Sequence, residues 1–122
     1  MKITSFKPLI VTNDADNTVA LFKELGFELR HEKDGINDED INAYIMKDPN
    51  GFCVTVTKAP VPRDMMMISM NVDDFDEAYN FLLSKGFVNA QGEKVTDTGS
   101  SRATLMVSPS GFGISISKHI KK

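Results

Sequence analysis

Apolar and polar residues alternate strictly in two stretches of this chain, and the remaining segments are arranged around them. The first runs Pro49-Asn50-Gly51-Phe52-Cys53-Val54-Thr55-Val56-Thr57-Lys58, and the second runs Pro109-Ser110-Gly111-Phe112-Gly113-Ile114-Ser115-Ile116-Ser117-Lys118. Each is a Pro-x-Gly turn followed by a period-two pattern, the signature of a half-buried strand whose side chains point to opposite faces in turn. One face is Phe52, Val54 and Val56 in the first copy, and Phe112, Ile114 and Ile116 in the second. The other face is Cys53, Thr55 and Thr57, then Gly113, Ser115 and Ser117. The apolar face asks for a covering helix. The small polar face fits either a lined hollow or a side open to plain water, as antiparallel sheets often have. Water-facing strands are usually rich in charge, and these faces carry none before Lys58 and Lys118.

The rest of the chain reads as the same order played twice. Ile3–Thr12 is strand-like, with Leu9 and Val11 on one face and Phe6, Pro8 and Ile10 on the other. Pro8 donates no ladder hydrogen bond, which suggests an edge position or a bulge. Asn13-Asp14-Ala15-Asp16 supplies capping chemistry for a helix through Val19, Leu21, Phe22 and Leu25, which Gly26 ends. Residues 27–32 resume as a strand, 33–41 form a polar acidic connection, and 43–47 a short strand. Residues 58–63, with two prolines, connect to a second round. That round predicts a strand over Met65–Val72, caps at Asp73 and Asp74, and a helix over 76–85 ended by Gly86. Strands at 87–95 and 102–107 then flank a polar loop at 96–101, and a basic tail begins at His119. Gly26 and Gly86, Phe27 and Phe87, Pro49 and Pro109, Gly51 and Gly111, and Phe52 and Phe112 all share an offset of 60 positions. A long repeat occurring twice is a duplicated supersecondary unit, since a solenoid needs about three or more. The fold class is α+β: one domain over 1–122, built from two βαβββ repeats, 1–60 and 61–122.

Composition removes several function classes. At 122 residues, 41% hydrophobic and 25% charged, the chain is an ordinary globular domain with room for a core. A net charge of −3 gives no electrostatic footprint for nucleic acid or an anionic membrane. A single cysteine excludes an intrachain disulfide framework and suits a reducing compartment. No apolar run approaches the roughly 20 residues that span a bilayer. The amino terminus lacks a signal-peptide layout, so the expectation is a cytoplasmic protein without nucleic-acid or membrane partners.

Individual candidates for chemistry are few. Cys53 falls on the polar face with Thr55, but a nucleophilic thiol needs a base or cation beside it, and a passive pocket residue is the plainer reading. Met65 and Met67 share a face, where flexible thioethers suit an adaptable apolar site or simple packing. His31 is flanked by Glu28, Glu32 and Asp34 and reads as a surface histidine. Asp34, Asp38, Glu39 and Asp40 lack the spacing of a calcium loop and read as a solvated hairpin. Arg102 stands on a predicted strand that would line the second hollow, where it could pair with an anion or lie on the surface.

The paired βαβββ order, Leu25-Gly26-Phe27, Val72-Asp73-Asp74-Phe75-Asp76-Glu77-Ala78 and the Asp48-Pro49-Asn50-Gly51 turn together resemble the vicinal oxygen chelate superfamily. This superfamily contains glyoxalase I, extradiol dioxygenases and the fosfomycin and bleomycin resistance proteins. The resemblance covers essentially the whole chain. It implies mixed sheets around a cleft with helices on the outer faces, and a divalent metal held by one residue on each of four strands. Counting from Gly26, Gly51, Gly86 and Gly111 puts those four positions at Phe6, Thr55, Met67 and Ser115. None offers the imidazole or carboxylate such an ion wants, so no metal or other cofactor is expected.

Three readings from different classes follow. The first is a metal-free protein that binds a small, mostly apolar or aromatic organic ligand, with Phe6, Pro8, Cys53, Thr55, Thr57, Met65, Met67, Ser69, Arg102, Ser115 and Ser117 as its candidate lining. The second is an enzyme, metal-independent or with atypical ligands, which a strongly perturbed titratable group in the cleft would support. The third is an interaction module whose cleft is a relic. Family habit and the edge character of Pro8 point to a homodimer.

Overall fold

Local chemistry fixes the helix ends first. In the computed structural model, which describes residues 1–33, 42–97 and 101–119, helix α1 spans Ala15–Glu24 and helix α2 spans Phe75–Ser84. Asp14 caps α1 by accepting the Asn17 N–H at Oδ1, and Asp74 caps α2 by accepting the Glu77 N–H at 3.0 Å. Both helices close on a left-handed glycine: Gly26 has φ +104° and Gly86 has φ +89°. The Phe27 N–H then reaches Phe22 O (2.9 Å) and the Phe87 N–H reaches Leu82 O (3.1 Å), the six-to-one bond of a Schellman cap. The two helices therefore repeat at the same offset of 60 that the sequence carries.

The strands are β1 (Ile3–Thr12), β2 (Glu28–Lys33), β3 (Asn42–Lys47), β4 (Cys53–Lys58), β5 (Met65–Val72), β6 (Val88–Asn89), β7 (Thr96–Asp97), β8 (Ser101–Val107) and β9 (Gly113–His119). With α1 after β1 and α2 after β5, the class is α+β with mixed sheets. The chain divides into two compact units, Lys7–Met66 (the first unit) and Met1–Phe6 with Met67–Lys122 (the second). In the first, the order is β2-β3-β4-β1, antiparallel except for the parallel pair β4–β1. In the second, β5 pairs parallel with β9, β9 antiparallel with β8, and both β6 and β7 antiparallel with β8.

Each sheet buries its apolar face. In the second unit Met70, Val72, Met106 and Ile116 pack with Phe75, Ala78 and Leu82 of α2 in one buried cluster. In the first, Met46, Val54 and Val56 are buried, as is Ala15 of α1, and α1 lies in contact with β4. Side chains such as these stabilise by about 1.5–3 kcal/mol each when fully buried. No helix among the described residues is long and apolar enough to cross a membrane.

The two turns that open the alternating strands are built alike from different residues. Asp48 Oδ1 accepts the N–H groups of Asn50 (3.0 Å) and Phe52 (2.7 Å). Ser108 Oγ accepts those of Gly111 and Phe112, both at 3.0 Å. Phe52 and Phe112 are 68% and 52% exposed, so the apolar face is buried from Val54 in the first copy and from Ile116 in the second, with Ile114 half-buried between. Both rings sit in the turn, before the ladder begins.

Residues 87–95 do not form the expected continuous strand. Only Val88 and Asn89 pair with β8, and the chain then turns through Gly92 at φ +77°. Buried Asn89 organises this turn: its Nδ2 donates to Lys94 O (3.0 Å), and its Oδ1 accepts the Gln91 N–H (2.9 Å) and the Thr104 hydroxyl (2.8 Å). The run Asn89-Ala90-Gln91-Gly92 is turn chemistry that interrupts an otherwise strand-like pattern. Thr96 and Asp97, read as loop, form β7 instead, and β9 extends to His119, read as tail. The acidic run Asp34, Asp38, Glu39 and Asp40 lies outside the described residues.

Candidate ligand-binding faces

Directly paired residues in a sheet share a face, so the ladder registers sort the candidates. In the first unit Leu9 pairs with Thr55 and Val11 with Thr57, while Ile45 and Ala43 of β3 pair with the same two threonines. These residues form the face turned away from Val54, Val56 and the helix. We call it the front face. Cys53 joins it opposite Lys47. Lys7, two positions before Leu9, joins it by alternation and is half-buried. Pro8, between them, takes the opposite parity and is exposed.

Phe6 is likewise of the wrong parity and is 63% exposed. The count from Gly26 that selected Phe6 slips by one residue, and in a strand a slip of one reverses the face. Since α1 begins at Ala15 and α2 at Phe75, the counterpart of Met67 is Lys7. The front face of the first unit is therefore not uncharged, as its small polar strand had suggested.

In the second unit Ser69 pairs with Ser115 and Asn71 with Ser117, and across β9 Leu105 and Ala103 pair with the same two serines. Met67 belongs to this face by the same alternation. It lies over Gly113: a Cβ placed on that glycine would stand 3.3 Å from Met67 Sδ and 3.1 Å from Leu105 Cδ1. The gap in the alternating pattern at Gly113 is thus filled by its neighbours. The Ser117 hydroxyl donates to Asn71 Oδ1. Met65, by contrast, belongs to the first unit and is 42% exposed.

Arg102 leaves the front face. Its strand register puts it in line with buried Thr104 and Met106, on the helix side. There its guanidinium carbon sits 4.7 Å from the Phe75 ring centroid, and Nη2 lies 3.4 Å from Asp76 Oδ1. It fastens β8 to the start of α2. Cys53 is a free, half-buried thiol in weak contact with Gly51 O at 3.7 Å. The side chains of His31 and His119 lie outside those described.

Thr55 is buried, and its Oγ1 has no hydrogen-bond partner. An orphaned hydroxyl costs roughly 1–3 kcal/mol, and among the described residues only Thr55 and Ser5, on β1, carry one. With Lys7 in place of Phe6, the positions singled out as metal ligands carry an ammonium and a hydroxyl in the first unit (Lys7, Thr55) and a thioether and a hydroxyl in the second (Met67, Ser115). Among the described residues no group of three or more His, Cys, Asp or Glu could hold an ion. This donor set does not fit a divalent metal. The sequence signal that finds Lys7 was present throughout: the 60-residue offset, applied to Met67.

The arrangement of elements is shared with solved structures of low sequence identity. Methylmalonyl-CoA epimerase from Mycobacterium tuberculosis superposes with a TM-score of 0.74 at 18% identity, covering 98% of this chain and 90% of that one. Streptomyces coelicolor methylmalonyl-CoA epimerase, in complex with 2-nitronate-propionyl-CoA, gives 0.68 at 15%, covering 98% and 100%. A glyoxalase I mutant from Zea mays gives 0.69 at 13%, covering 98% of this chain and 45% of its own. These likenesses are likenesses of fold. Comparison with curated protein sequences finds no match. The duplicated βαβββ order and the front faces agree with a family match over residues 3–116, and the chain belongs to the Glyoxalase/Bleomycin resistance protein/Dioxygenase superfamily.

Proposed function

We propose that the protein is a metal-free small-molecule-binding member of this superfamily, taking a small, mostly apolar or aromatic organic ligand on its front faces and acting as a cytoplasmic homodimer. The observation that carries the reading is the residue content of the metal positions: Lys7, Thr55, Met67 and Ser115 supply neither imidazole nor carboxylate. What they do supply suits an organic molecule. On the first unit's face Leu9 and Ile45 are apolar beside the Thr55 hydroxyl, and on the second unit's face Met67 and Leu105 are apolar beside the Ser115 hydroxyl, on each the usual mixture of a ligand site. A solved relative of the same fold holds a CoA derivative, so the scaffold can present an organic ligand.

Native mass spectrometry of the purified protein tests the reading in one measurement, reporting metal, co-purified small molecule and subunit count together. A metal-free dimer that carries or accepts an organic ligand is the expected result. About one Zn, Ni, Fe or Mn per chain, lost on substituting front-face residues, overturns it in favour of a metalloenzyme. A thermal-shift screen of aromatic and heterocyclic compounds supplies ligands for titration. Thr55→Trp is expected to abolish binding with the fold intact; hits that bind this variant as tightly as the parent place the site elsewhere.

A further inference from the structure

The two units follow one plan, yet at one corresponding front-face position the second carries Met67 and the first carries Lys7. We propose that this difference fixes the chemistry of the ligand: the front face of the first unit receives an anionic group, a carboxylate or similar oxyanion, with Lys7 as the counter-charge and the Thr55 hydroxyl as a hydrogen-bond donor. The inference rests on the reading of the front faces as the ligand site and specifies what that ligand must contain.

Three independent observations meet here. Lys7 is half-buried within a strand, where a lysine of a plain solvent face would extend into water. Among the described residues its ammonium pairs with no carboxylate; Glu28, Asp76 and Glu77 are engaged by Arg30, Arg102 and the terminal amine. The second observation is Thr55, on the same face, 8% exposed with its hydroxyl buried and unpartnered. A half-buried cation and an unsatisfied donor both gain from an oxyanion, which accepts a charge-assisted bond from one and an ordinary bond from the other. The third is Lys47, opposite Cys53 on the same face, which adds positive potential at that end of the sheet. Glu28 lies across from Lys47 and is the acidic group nearest in the ladder, but it also pairs with Arg30 at 3.4 Å. A neutral apolar ligand alone would leave both Lys7 and Thr55 unmatched.

Benzoate and benzamide form a matched probe pair, equal in ring and size and different in charge. Titration followed by amide chemical shifts is expected to give benzoate roughly tenfold or greater preference, the range of one charge-assisted bond. The largest shifts are expected at residues 7–11 and 53–57. Lys7→Met, which installs the residue already present at the corresponding position of the other unit, is expected to fold and to bind both probes equally. Lys7→Arg is expected to keep the benzoate preference, and Thr55→Val to reduce it. Equal binding of the two probes by the parent overturns the anion inference while leaving the ligand-binding reading standing. So does a benzoate preference that survives Lys7→Met, or shifts that map to another face. Failure of both probes to bind at millimolar concentration overturns the inference and the reading beneath it, whereas a benzamide response on the front faces that Thr55→Trp abolishes keeps the reading alone.

Discussion

Thr55 and Thr104 are both buried, at 8% and 3% exposure, and their hydroxyls stand in opposite situations. Thr104 Oγ1 donates to Asn89 Oδ1 at 2.8 Å and lies 3.3 Å from Lys94 O. Thr55 Oγ1 meets nothing. Replacing each by valine exchanges a hydroxyl for a methyl of nearly equal volume, so packing changes little and the polar term dominates. At Thr104 the variant leaves Asn89 Oδ1 with only the Gln91 N–H as donor, and the expected loss is about 1–2 kcal/mol. At Thr55 the variant removes a buried group that had no partner, and the expected change is a gain of roughly 1 kcal/mol, out of the 1–3 that an orphaned group costs. The two substitutions should therefore move the urea midpoint in opposite directions at unchanged slope. For a domain of this size the corresponding shifts are a few degrees in Tm. A Thr55→Val variant that loses as much stability as Thr104→Val refutes the reasoning, because it means that the Thr55 hydroxyl is already satisfied in the free protein. The gain, if found, comes with weaker ligand binding. That pairing is the mark of a polar group kept for a ligand.

Other consequences can be checked with the same unfolding assay. Gly26→Ala forces a left-handed backbone on alanine in open space and is expected to cost about 1–2 kcal/mol. Gly86→Ala incurs that cost and also a Cβ 2.9 Å from Pro109 Cγ, so it should cost about 1 kcal/mol or more beyond Gly26→Ala, a surplus that Pro109→Ala relieves in a double-mutant cycle. Equal losses at the two glycines count against the close approach. Arg102→Met keeps an apolar stem over Phe75 but removes the cation and its ion pair with exposed Asp76; a loss of at most about 1–2 kcal/mol is expected, with benzoate affinity unchanged. The Lys2 backbone N–H, donating to Asp73 at 2.6 Å, holds the Asp73 carboxyl below its ordinary range. A depressed folded-state value gives stability that is present above the unfolded-state value and lost as pH falls through the folded one. Asp73→Asn is accordingly expected to flatten the acid limb of a stability–pH profile, and an unchanged limb removes Asp73 from that account.

Much of this fold was legible because its determinants are local and occur twice. Period-two patterning located β4 and β9, the Asp and Gly caps bounded both helices, and the 60-residue offset revealed the duplication. The faces of the candidate site were legible in part. Thr55, Thr57, Ser69, Met67 and Ser115 fall on front faces because their neighbours alternate cleanly, whereas Phe6 was assigned by counting across a helix, where one residue of error reverses a strand, and Pro8 followed it by sharing its parity. Arg102 was misread for a different reason. Its strand carries apolar residues on both faces, Leu105 on one and Met106 on the other, and only burial of Thr104 and Met106 against α2 shows that Arg102 shares the helix side. Asn89 gave no periodic signal, since its role depends on Lys94, Tyr79 and Thr104 converging on it. The orphaned state of Thr55 was beyond any pattern, because it is a property of what surrounds the hydroxyl.

The parallel seams carry a consequence for how each unit assembles. Leu9 meets Thr55 and Ile68 meets Ile114, each across 46 positions of chain, while β3 joins β4 and β8 joins β9 through short turns tied by Asp48 and Ser108. Closing a short turn loses little chain entropy, and closing a long loop becomes favourable only after much of the intervening structure is in place. Loop closure therefore favours the hairpins as the early structures in each unit, with the β1–β4 and β5–β9 seams, which carry the front faces, expected to close later. A molecule seated on those faces would bear mainly on the rate at which the units open. It would lengthen the lifetime of the folded protein more than it hastens the protein's formation.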